Sequence, residues 1–345
     1  MMLTLSTNDL TQRFRQLDSV YMSPASGHDP GLRGPKPPTS AVLVGYTLLA
    51  FVGALVTAVL MRMDARILAG EPLWLKPTKF FLSSAIAAGT LEWIIRRSGL
   101  GSRRLNACRS VIAWGFLVEM VIICTQAARG VRSHFNFSTP LDAVLFGIMG
   151  TVIIGVVIAF GVAGFTATGT ASRWARAERT AVRWGMVVFM AAAFMGNRMV
   201  RPTPEQQRQG ESEGRSGMRG SHFVGSVEGA TRTWPVTGWS RESGDLRVPH
   251  FVGMHALQWM LLWALLARWL GVPMEDRRTV RHMTGVGILF GGIWLLTLGQ
   301  ASSGRSLLDP GAFQVGLWVP VGGLVVALVS LVSMVLGRNG KGVVA

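Results

Sequence analysis

Histidine, a side chain well suited to bind transition metals or to transfer protons near neutral pH, occurs six times in this 345-residue chain. Four of these residues lie in or beside polar loops between apolar segments: His134, His222, His250 and His255. Their nitrogen atoms suit zinc, iron or manganese, and an imidazole can also ligate haem iron. We therefore predict a metal site formed by these four histidines, and the identity of the metal or haem stays open.

The segment richest in chemistry-bearing side chains contains Asp245, Arg247, His250, His255 and Gln258. His250 and His255 are five residues apart, about 140° around a helix, so they do not form the one-face pair of helical zinc sites. A metal or haem at His255 would need another ligand from elsewhere, and we expect Gln258 and Gln126 to line such a cofactor. The structural alternatives are a helix-start hydrogen bond for His250 and a neutral, carbonyl-bonded imidazole for His255.

A buried carboxylate is predicted in the third apolar segment. Glu119, Gln126 and Arg129 follow spacings of seven and three, which keep them near one face of a helix. An intramembrane carboxylate either carries a proton or ties helices together. We predict Glu119, Asp245 and Arg247 as the catalytic, charge-handling set.

Three other charged groups have simpler interpretations. Glu92 precedes Arg96 by four residues, which predicts a pair within one helix. Asp142 follows Pro140 and is predicted to be a favourable charge at a helix start. Lys76, between Pro72 and Pro77 and close to Trp74, is predicted to anchor a helix at the membrane interface. The alternative is a re-entrant segment that holds the lysine over the site, against an anionic ligand.

The elements that position these residues are apolar. The chain is 49% hydrophobic and 15% charged, and its mean hydropathy is +0.37, which indicates a membrane protein. Eight apolar runs are long enough to cross a bilayer, at about 1.5 Å per residue. They cover residues 40–62, 78–95, 107–128, 140–166, 182–200, 250–270, 280–299 and 312–336. The fifth run is the weakest, so seven spans are the alternative. The predicted fold is an all-α, polytopic transmembrane helical bundle.

The sequence also predicts which way the bundle faces. The net charge is +16, but the basic residues occupy loops between spans, without interleaved aromatics, so we expect lipid and not nucleic acid as the partner. Lys and Arg in the short loops place both termini on the cytoplasmic side of the cell membrane. The loops that contain Lys76, His134 and Gln300, and the long loop 201–249, then share the outer face.

The segments outside the spans differ in composition. Residues 1–39 lack the apolar core of a signal peptide and are rich in Pro and Gly, which predicts a flexible cytoplasmic segment followed by spans one to five within 40–200. Residues 201–249 begin as a polar, Gly-rich stretch and end with aromatic residues, which predicts a partly ordered lid. Spans six to eight follow within 250–336, and residues 337–345 form a cytoplasmic tail. Cys108 and Cys124 are about 24 Å apart along one helix and cannot form a disulfide with each other.

The chain resembles a family of polytopic bacterial membrane proteins of the actinobacterial type. The resemblance rests on four stretches in the same order: Trp74-Leu-Lys-Pro-Thr-Lys-Phe, Gln126-Ala-Ala-Arg-Gly with Ser133-His-Phe-Asn, Gly220-Ser-His-Phe-Val-Gly, and Gly244-Asp-Leu-Arg-Val-Pro-His-Phe-Val-Gly-Met-His-Ala-Leu-Gln. It covers the second to the sixth span and implies one shared site built from the outer segments. It implies no particular reaction.

Three functions are compatible with these residues. The first is a metal- or haem-dependent membrane enzyme that uses the four histidines. The second is a transporter or sensor that binds a small polar ligand without a cofactor. The third is a subunit whose lid docks a partner protein. Four histidines on one face favour the first, and a polar path past Glu119 to the cytoplasm would favour transport.

Overall fold

The computed structural model describes residues 41–201, 217, 219–224, 232–307 and 314–339. The amino-terminal segment 1–39 and residues 340–345 of the predicted tail lie outside the described residues, as does most of the first half of loop 201–249. The predictions made for these segments therefore stay predictions.

Helices dominate the part of the chain that is described. They are α1 (Ala41–Met63), α2 (Leu75–Ser98), α3 (Arg103–Ala128), α4 (Pro140–Ala167), α5 (Arg176–Met195), α6 (Arg247–Met254), α7 (Ala256–Trp269), α8 (Arg277–Ser302) and α9 (Gln314–Asn339). Each of the eight apolar runs coincides with one helix, except that the run 250–270 is divided between α6 and α7. A short 3-10 turn, Gly196–Arg198, continues α5. The prediction of a predominantly helical fold is confirmed.

Among the described residues, five helical segments are long and apolar enough to cross a membrane: α1, α3, α4, the pair α6 and α7 taken together, and α8. The chain is thus a helical membrane protein. Three further predicted spans, α2, α5 and α9, are not among these five. In α2 the charged residues Lys76, Lys79, Glu92, Arg96 and Arg97 reduce the apolar character, so the count of eight spans stays a prediction.

Local sequence explains where several helices begin and end. The Ser102 hydroxyl accepts a hydrogen bond from the Leu105 amide at the start of α3. At the start of α4, the Thr139 hydroxyl accepts from the Asp142 amide, and Pro140 occupies the first helical position. Gly99 ends α2 with a φ of +70°, a conformation that glycine adopts without steric cost.

Two small antiparallel pairs of strands lie between the helices. β1 (Ile67–Leu68) pairs with β2 (Glu71–Pro72) in the turn before α2. β3 (Phe223–Val224) pairs with β4 (Gly244–Asp245), with Phe223 opposite Asp245. The second pair joins two distant parts of the long loop directly in front of α6.

Close helix packing depends on small residues. A Cβ atom on Gly185 of α5 would lie 2.7 Å from the Leu257 Cα atom of α7, and one on Gly115 of α3 would lie 2.3 Å from a Val156 methyl group of α4. Small residues allow such approach in lipid, where the hydrophobic effect does not drive helices together. The largest buried core cluster spans α1 to α7 and includes Leu91, Ile112 and Phe160.

One end of the bundle contains a buried ion pair that differs from the prediction. Glu92 does not pair within its own helix. Arg109 of α3 donates to both of its carboxylate oxygens, at 2.7 and 3.1 Å, and both side chains are at most 5% exposed. Glu92 points toward α3, and a planar guanidinium matches a carboxylate with two parallel bonds. At the same end, Glu178 of α5 pairs with Arg268 of α7.

The helix that carries the histidine-rich segment also differs from the prediction. It begins at Arg247, three residues before His250, and Pro249 occupies its first turn, as expected. The helical pattern is interrupted at His255, which ends α6 and precedes α7.

Candidate functional site

Four polar segments meet at the end of the bundle opposite the Glu92–Arg109 pair, and we call this end the loop face. They are residues 64–74, 129–139, the described residues of 199–249 and residues 299–307. Contacts join them: Lys76, just after the first segment, reaches His134 in the second, the Arg219 amide of the third donates to the Phe135 carbonyl of the second, and Gly244 of the third lies directly against Ala301 of the fourth. The structure therefore brings together the loops that were expected to share one side. Their position on the outer side of the membrane stays a prediction.

A lysine and a histidine form the centre of the loop face. Lys76, in the first turn of α2, has its Nζ atom 3.1 Å from Nδ1 of His134. An ammonium group can only donate hydrogen bonds, so Nδ1 accepts and the neutral imidazole carries its proton on Nε2. The ammonium also lies 5.6 Å from the centre of the Phe80 ring. Among the described residues, Lys76 thus has an imidazole and an aromatic ring, and not a carboxylate, as its contact partners.

Burial perturbs the titratable groups of this centre. Lys76 precedes the predicted span 78–95, and burial, together with the Lys79 and Arg132 cations, lowers its pKa to about 7. Burial, and then the Lys76 charge, holds the pKa of His134 well below its ordinary value of 6.5. The pKa of His222 is also held well below that value, first by burial and then by Arg247. Both histidines are therefore neutral at neutral pH.

An aromatic ring separates the two neutral histidines. The ring of Phe135 lies 6.1 Å from His134 and 5.0 Å from His222, centre to centre. Phe135 is buried and has a φ of +61°, an uncommon conformation for a bulky residue. Nδ1 of His222 lies 3.4 Å from the Met199 sulfur on the other side. Such strain at a buried residue is often retained at binding sites.

A carboxylate and a guanidinium at the start of α6 bind each other. The Nε and terminal nitrogen atoms of Arg247 donate to the oxygens of Asp245 at 3.0 and 2.7 Å. Asp245 is 2% exposed and also accepts from the Ser240 amide. The guanidinium further donates to the Gly238 carbonyl and lies 5.1 Å from the centre of the Phe223 ring. These two predicted catalytic residues are neighbours, and each is largely occupied by the other.

The described parts of loop 201–249 fold back over this centre, and we call residues 232–246 the lid. Nζ of Lys79 donates to the Val236 carbonyl at 3.1 Å and to Glu71 at 3.4 Å. Gly238 has a φ of +68°, and a Cβ atom there would lie 1.6 Å from a carboxylate oxygen of Glu71. The lid therefore rests directly on the segment that holds Lys76.

The structure separates the four histidines that were expected to bind a metal. His134 and His222 lie beside Phe135, whereas Nδ1 of His250 donates to the Ala192 carbonyl of α5 at 2.9 Å. His255 lies at the junction of α6 and α7, with its ring 4.4 Å from that of Phe251. Among the described residues, no three His, Cys, Asp or Glu side chains are grouped so that they could hold a metal ion. The cause is the helix geometry, since His250 points at α5 and away from the loops.

The residues expected to line a cofactor have separate partners. Gln126 donates to Asp142 at 2.9 Å, and Arg129 donates to the same carboxylate at 2.8 Å, which ties the end of α3 to the start of α4. The interpretation of Asp142 as a helix-start charge agrees with this arrangement. Gln258 makes a long contact of 3.5 Å with Thr90 of α2. Gln126, Gln258 and His255 therefore face three different neighbours.

Glu119 lies deeper in the bundle than the loop-face residues, about 10 Å along α3 from Gln126. It is 7% exposed, and its Oε1 atom is buried without a hydrogen-bond partner. On α1, the Tyr46 hydroxyl donates to Ser84 of α2 at 2.7 Å.

Lys76 is more central to the loop face than its sequence context predicts. The nearby Trp74 and prolines favoured the interpretation of Lys76 as an interfacial anchor. The signal for the alternative was that Lys76 directly precedes an apolar span and that Glu71 is the one acidic residue close to it in the sequence. In the structure Lys76 belongs to a helical first turn, not to a re-entrant segment, yet it does reach into the site. Only the fold shows that loop 129–139 supplies its partner.

Comparison with known proteins adds no assignment. No protein-family model, curated protein or solved structure matches the chain.

Proposed function

We propose that this membrane protein binds a small anionic ligand at the loop face, with Lys76 as the central contact, and that it acts as a sensor or transporter without a cofactor. The observation that carries the proposal is the Lys76–His134 contact of 3.1 Å, in which a partly buried cation has an imidazole, and no carboxylate among the described residues, as its hydrogen-bond partner. A bound anion would supply the negative charge that compensates the Lys76 ammonium.

The local charge balance supports the same ligand class. Four cations act on this centre: Lys76, Lys79, Arg132 and Arg247. Glu71 is occupied by Lys79, and Asp245 by Arg247. The positive charges of Lys76 and the exposed Arg132 are therefore available to an anion. A cluster of positive charges of this kind attracts negatively charged ligands to the site.

The same charges disfavour the metal- or haem-dependent enzyme expected from the histidines. A divalent cation beside Lys76 and Arg247 would be repelled, and His250 and His255 lie apart from the other two histidines. The aromatic and cationic surroundings of His134 suit an anion that accepts hydrogen bonds from Nε2 and from Lys76. The metal or haem interpretation stays a prediction that this arrangement does not favour.

The packing below the site bears on the choice between a sensor and a transporter. Between the Tyr46–Ser84 contact and the Glu92–Arg109 pair, the described bundle is filled by the buried apolar side chains of Leu43, Leu91 and Ile112. An anion would meet no polar partner among these residues. The arrangement favours a sensor, or a transporter held in a conformation that is closed on this side.

The test is anion binding by the purified protein in neutral detergent. Chloride, inorganic phosphate, acetate and succinate would be titrated while tryptophan fluorescence is recorded, because Trp74 and Trp239 lie beside the centre. We expect saturable binding of at least one anion. Lys76→Met should weaken it by roughly 10- to 100-fold, since a hydrogen bond to a charged group contributes about 1.5–3 kcal/mol.

The matched control is Arg66→Gln, which also removes one positive charge from the loop face but from a residue paired with Asp64. Binding should change little in this variant. Absence of saturable binding for every anion, or equal effects of the two variants, would contradict the proposal. Stoichiometric bound metal that is lost on His134→Ala would favour the enzyme instead.

A further inference from the structure

We propose that residues 234–239, which we call the lid tip, insert into the bilayer interface at the loop face, so that phospholipid is the partner of their exposed apolar surface. Contact with lipid does not depend on an anion bound at Lys76, and it can be tested without any ligand.

The lid tip is a tight hairpin turn. Thr233 and Ser240 pair at its base, and the Trp234 amide donates to the Trp239 carbonyl at 2.8 Å. Val236 lies in the turn between the two tryptophans and is 71% exposed. The hairpin therefore presents an apolar side chain outward, between two aromatic ones.

The backbone of Val236 adopts an unfavourable conformation for a valine. Its φ is +68°, in the left-handed region, where a β-branched residue is an outlier and Gly or Asn is at ease. In water, an exposed valine would gain nothing that compensates this strain. Burial of the side chain in lipid would compensate it, and strained residues persist where their surroundings stabilise them.

The partners of the lid tip place it level with the start of the apolar runs. Nζ of Lys79 donates to the Val236 carbonyl at 3.1 Å, and Lys79 is the second residue of the run 78–95. The Trp239 ring lies 5.5 Å, centre to centre, from that of Phe251, the second residue of the run 250–270. Such runs begin where hydrocarbon meets the headgroups, a depth at which tryptophan is enriched.

Phe251 connects the lid tip to a surface that faces lipid. It is 50% exposed, and the exposed residues Trp259, Leu262 and Leu266 of α7 lie within about 80° of it around a helix. Together α6 and α7 are apolar enough to cross a membrane, so this stripe borders hydrocarbon. Through the contact between Trp239 and Phe251, the lid tip extends the same surface.

The charges beside the lid tip suit phospholipid headgroups. The Arg241 guanidinium lies 4.7 Å from the centre of the Trp234 ring, and the Arg232 side chain is 77% exposed. Such cations can stay among phosphate groups while neighbouring apolar side chains lie deeper. A protein partner fits less well, because Val236 and Phe251 form a patch far smaller than the roughly 20–30 residues of a stable interface.

The first test is spin labelling in nanodiscs of phosphatidylcholine and phosphatidylglycerol that each hold one copy of the chain. Val236→Cys is combined with Cys108→Ala and Cys124→Ala, so that the nitroxide has one attachment point. We expect this label to be more accessible to oxygen, which concentrates in lipid, than to a water-soluble nickel complex, as at the lipid-facing reference Leu262→Cys. The matched control is Thr233→Cys, exposed at the base of the same hairpin, where the nickel complex should have better access.

Equal oxygen-to-nickel ratios at positions 236 and 233 would overturn the proposal. Shielding of position 236 from both reagents would also overturn it, because this result indicates contact with protein. The partner would be a second copy of the chain if the shielding appeared only in discs that hold two copies.

The second test uses the sign of one substitution effect. Val236→Asn introduces a residue that tolerates a positive φ, so in water it should relieve strain and leave trypsin cleavage at Arg232 and Arg241 unchanged or slower. With the tip in lipid, loss of the apolar side chain should instead make this cleavage roughly tenfold faster in nanodiscs. Thr233→Asn, the control, should change the cleavage rate little. Unchanged or slower cleavage of Val236→Asn would overturn the insertion of the lid tip.

Discussion

The buried pair of Glu92 and Arg109 should be a major determinant of stability. Its two hydrogen bonds, at 2.7 and 3.1 Å, join side chains that are 5% and 1% exposed. Glu92→Leu would leave a guanidinium that cannot lose its proton without its carboxylate, and removing one partner of a buried pair costs about 3–5 kcal/mol. The folded-to-unfolded ratio should fall by a factor of roughly one hundred to several thousand.

The three related variants should follow a definite order. Glu92→Gln keeps one acceptor for Arg109 and should cost less than Glu92→Leu. Arg109→Met should also cost less, because a carboxyl group left alone can become neutral by taking up a proton. The double variant Glu92→Leu, Arg109→Met removes both charges and should recover most of the loss, since apolar replacements of buried pairs are often neutral or stabilising.

The assay is reversible denaturation in mixed micelles, followed by circular dichroism. Arg66→Gln, which breaks an exposed pair, is the control and should leave the free energy of unfolding nearly unchanged. The reasoning would be refuted if Glu92→Leu were as stable as the control. It would also be refuted if the double variant were the least stable of the set.

Three further predictions use the packing, the lid and the histidines. Gly185→Val should lower the free energy of unfolding by about 1–3 kcal/mol, because the valine side chain would meet the backbone of α7. Gly150→Val is the control: no atom lies within 4 Å of its Cβ position, so the free energy of unfolding should change by about 0.5 kcal/mol or less. Gly238→Ala should strain the backbone by about 1 kcal/mol and detach the lid from Glu71. Trypsin should then cleave faster at the lid arginines, and an unchanged cleavage rate would contradict the prediction. The pKa values of His134 and His222 are lowered in the folded state, so the unfolded chain binds more protons and stability should fall as pH drops below about 6.5. Replacing both histidines by asparagine should flatten this pH dependence in denaturation measured between about pH 5 and 8.

The sequence predicted the helices well because each is encoded locally. Long apolar runs locate α1, α3, α4 and α8, and side chains such as Ser102 and Thr139 mark the points where helices begin. The grouping of the polar loops at one end also follows from sequence, since consecutive antiparallel helices return alternate loops to the same end. Even the first-turn position of Pro249 could be predicted from its missing amide donor.

Which polar residues meet was decided by the tertiary structure. Spacing predicted Arg96 as the partner of Glu92, but the rotation of α2 points the carboxylate at Arg109 on the next helix. The four histidines share an end of the bundle, yet His250 turns toward α5 while His134 turns toward Lys76. Residue spacing defines faces within one helix, whereas the rotation and depth of one helix against another depend on contacts such as Gly185 on Leu257. The pairing of Lys76 with His134, which carries the proposed function, therefore became visible only when loop 129–139 was placed against the first turn of α2.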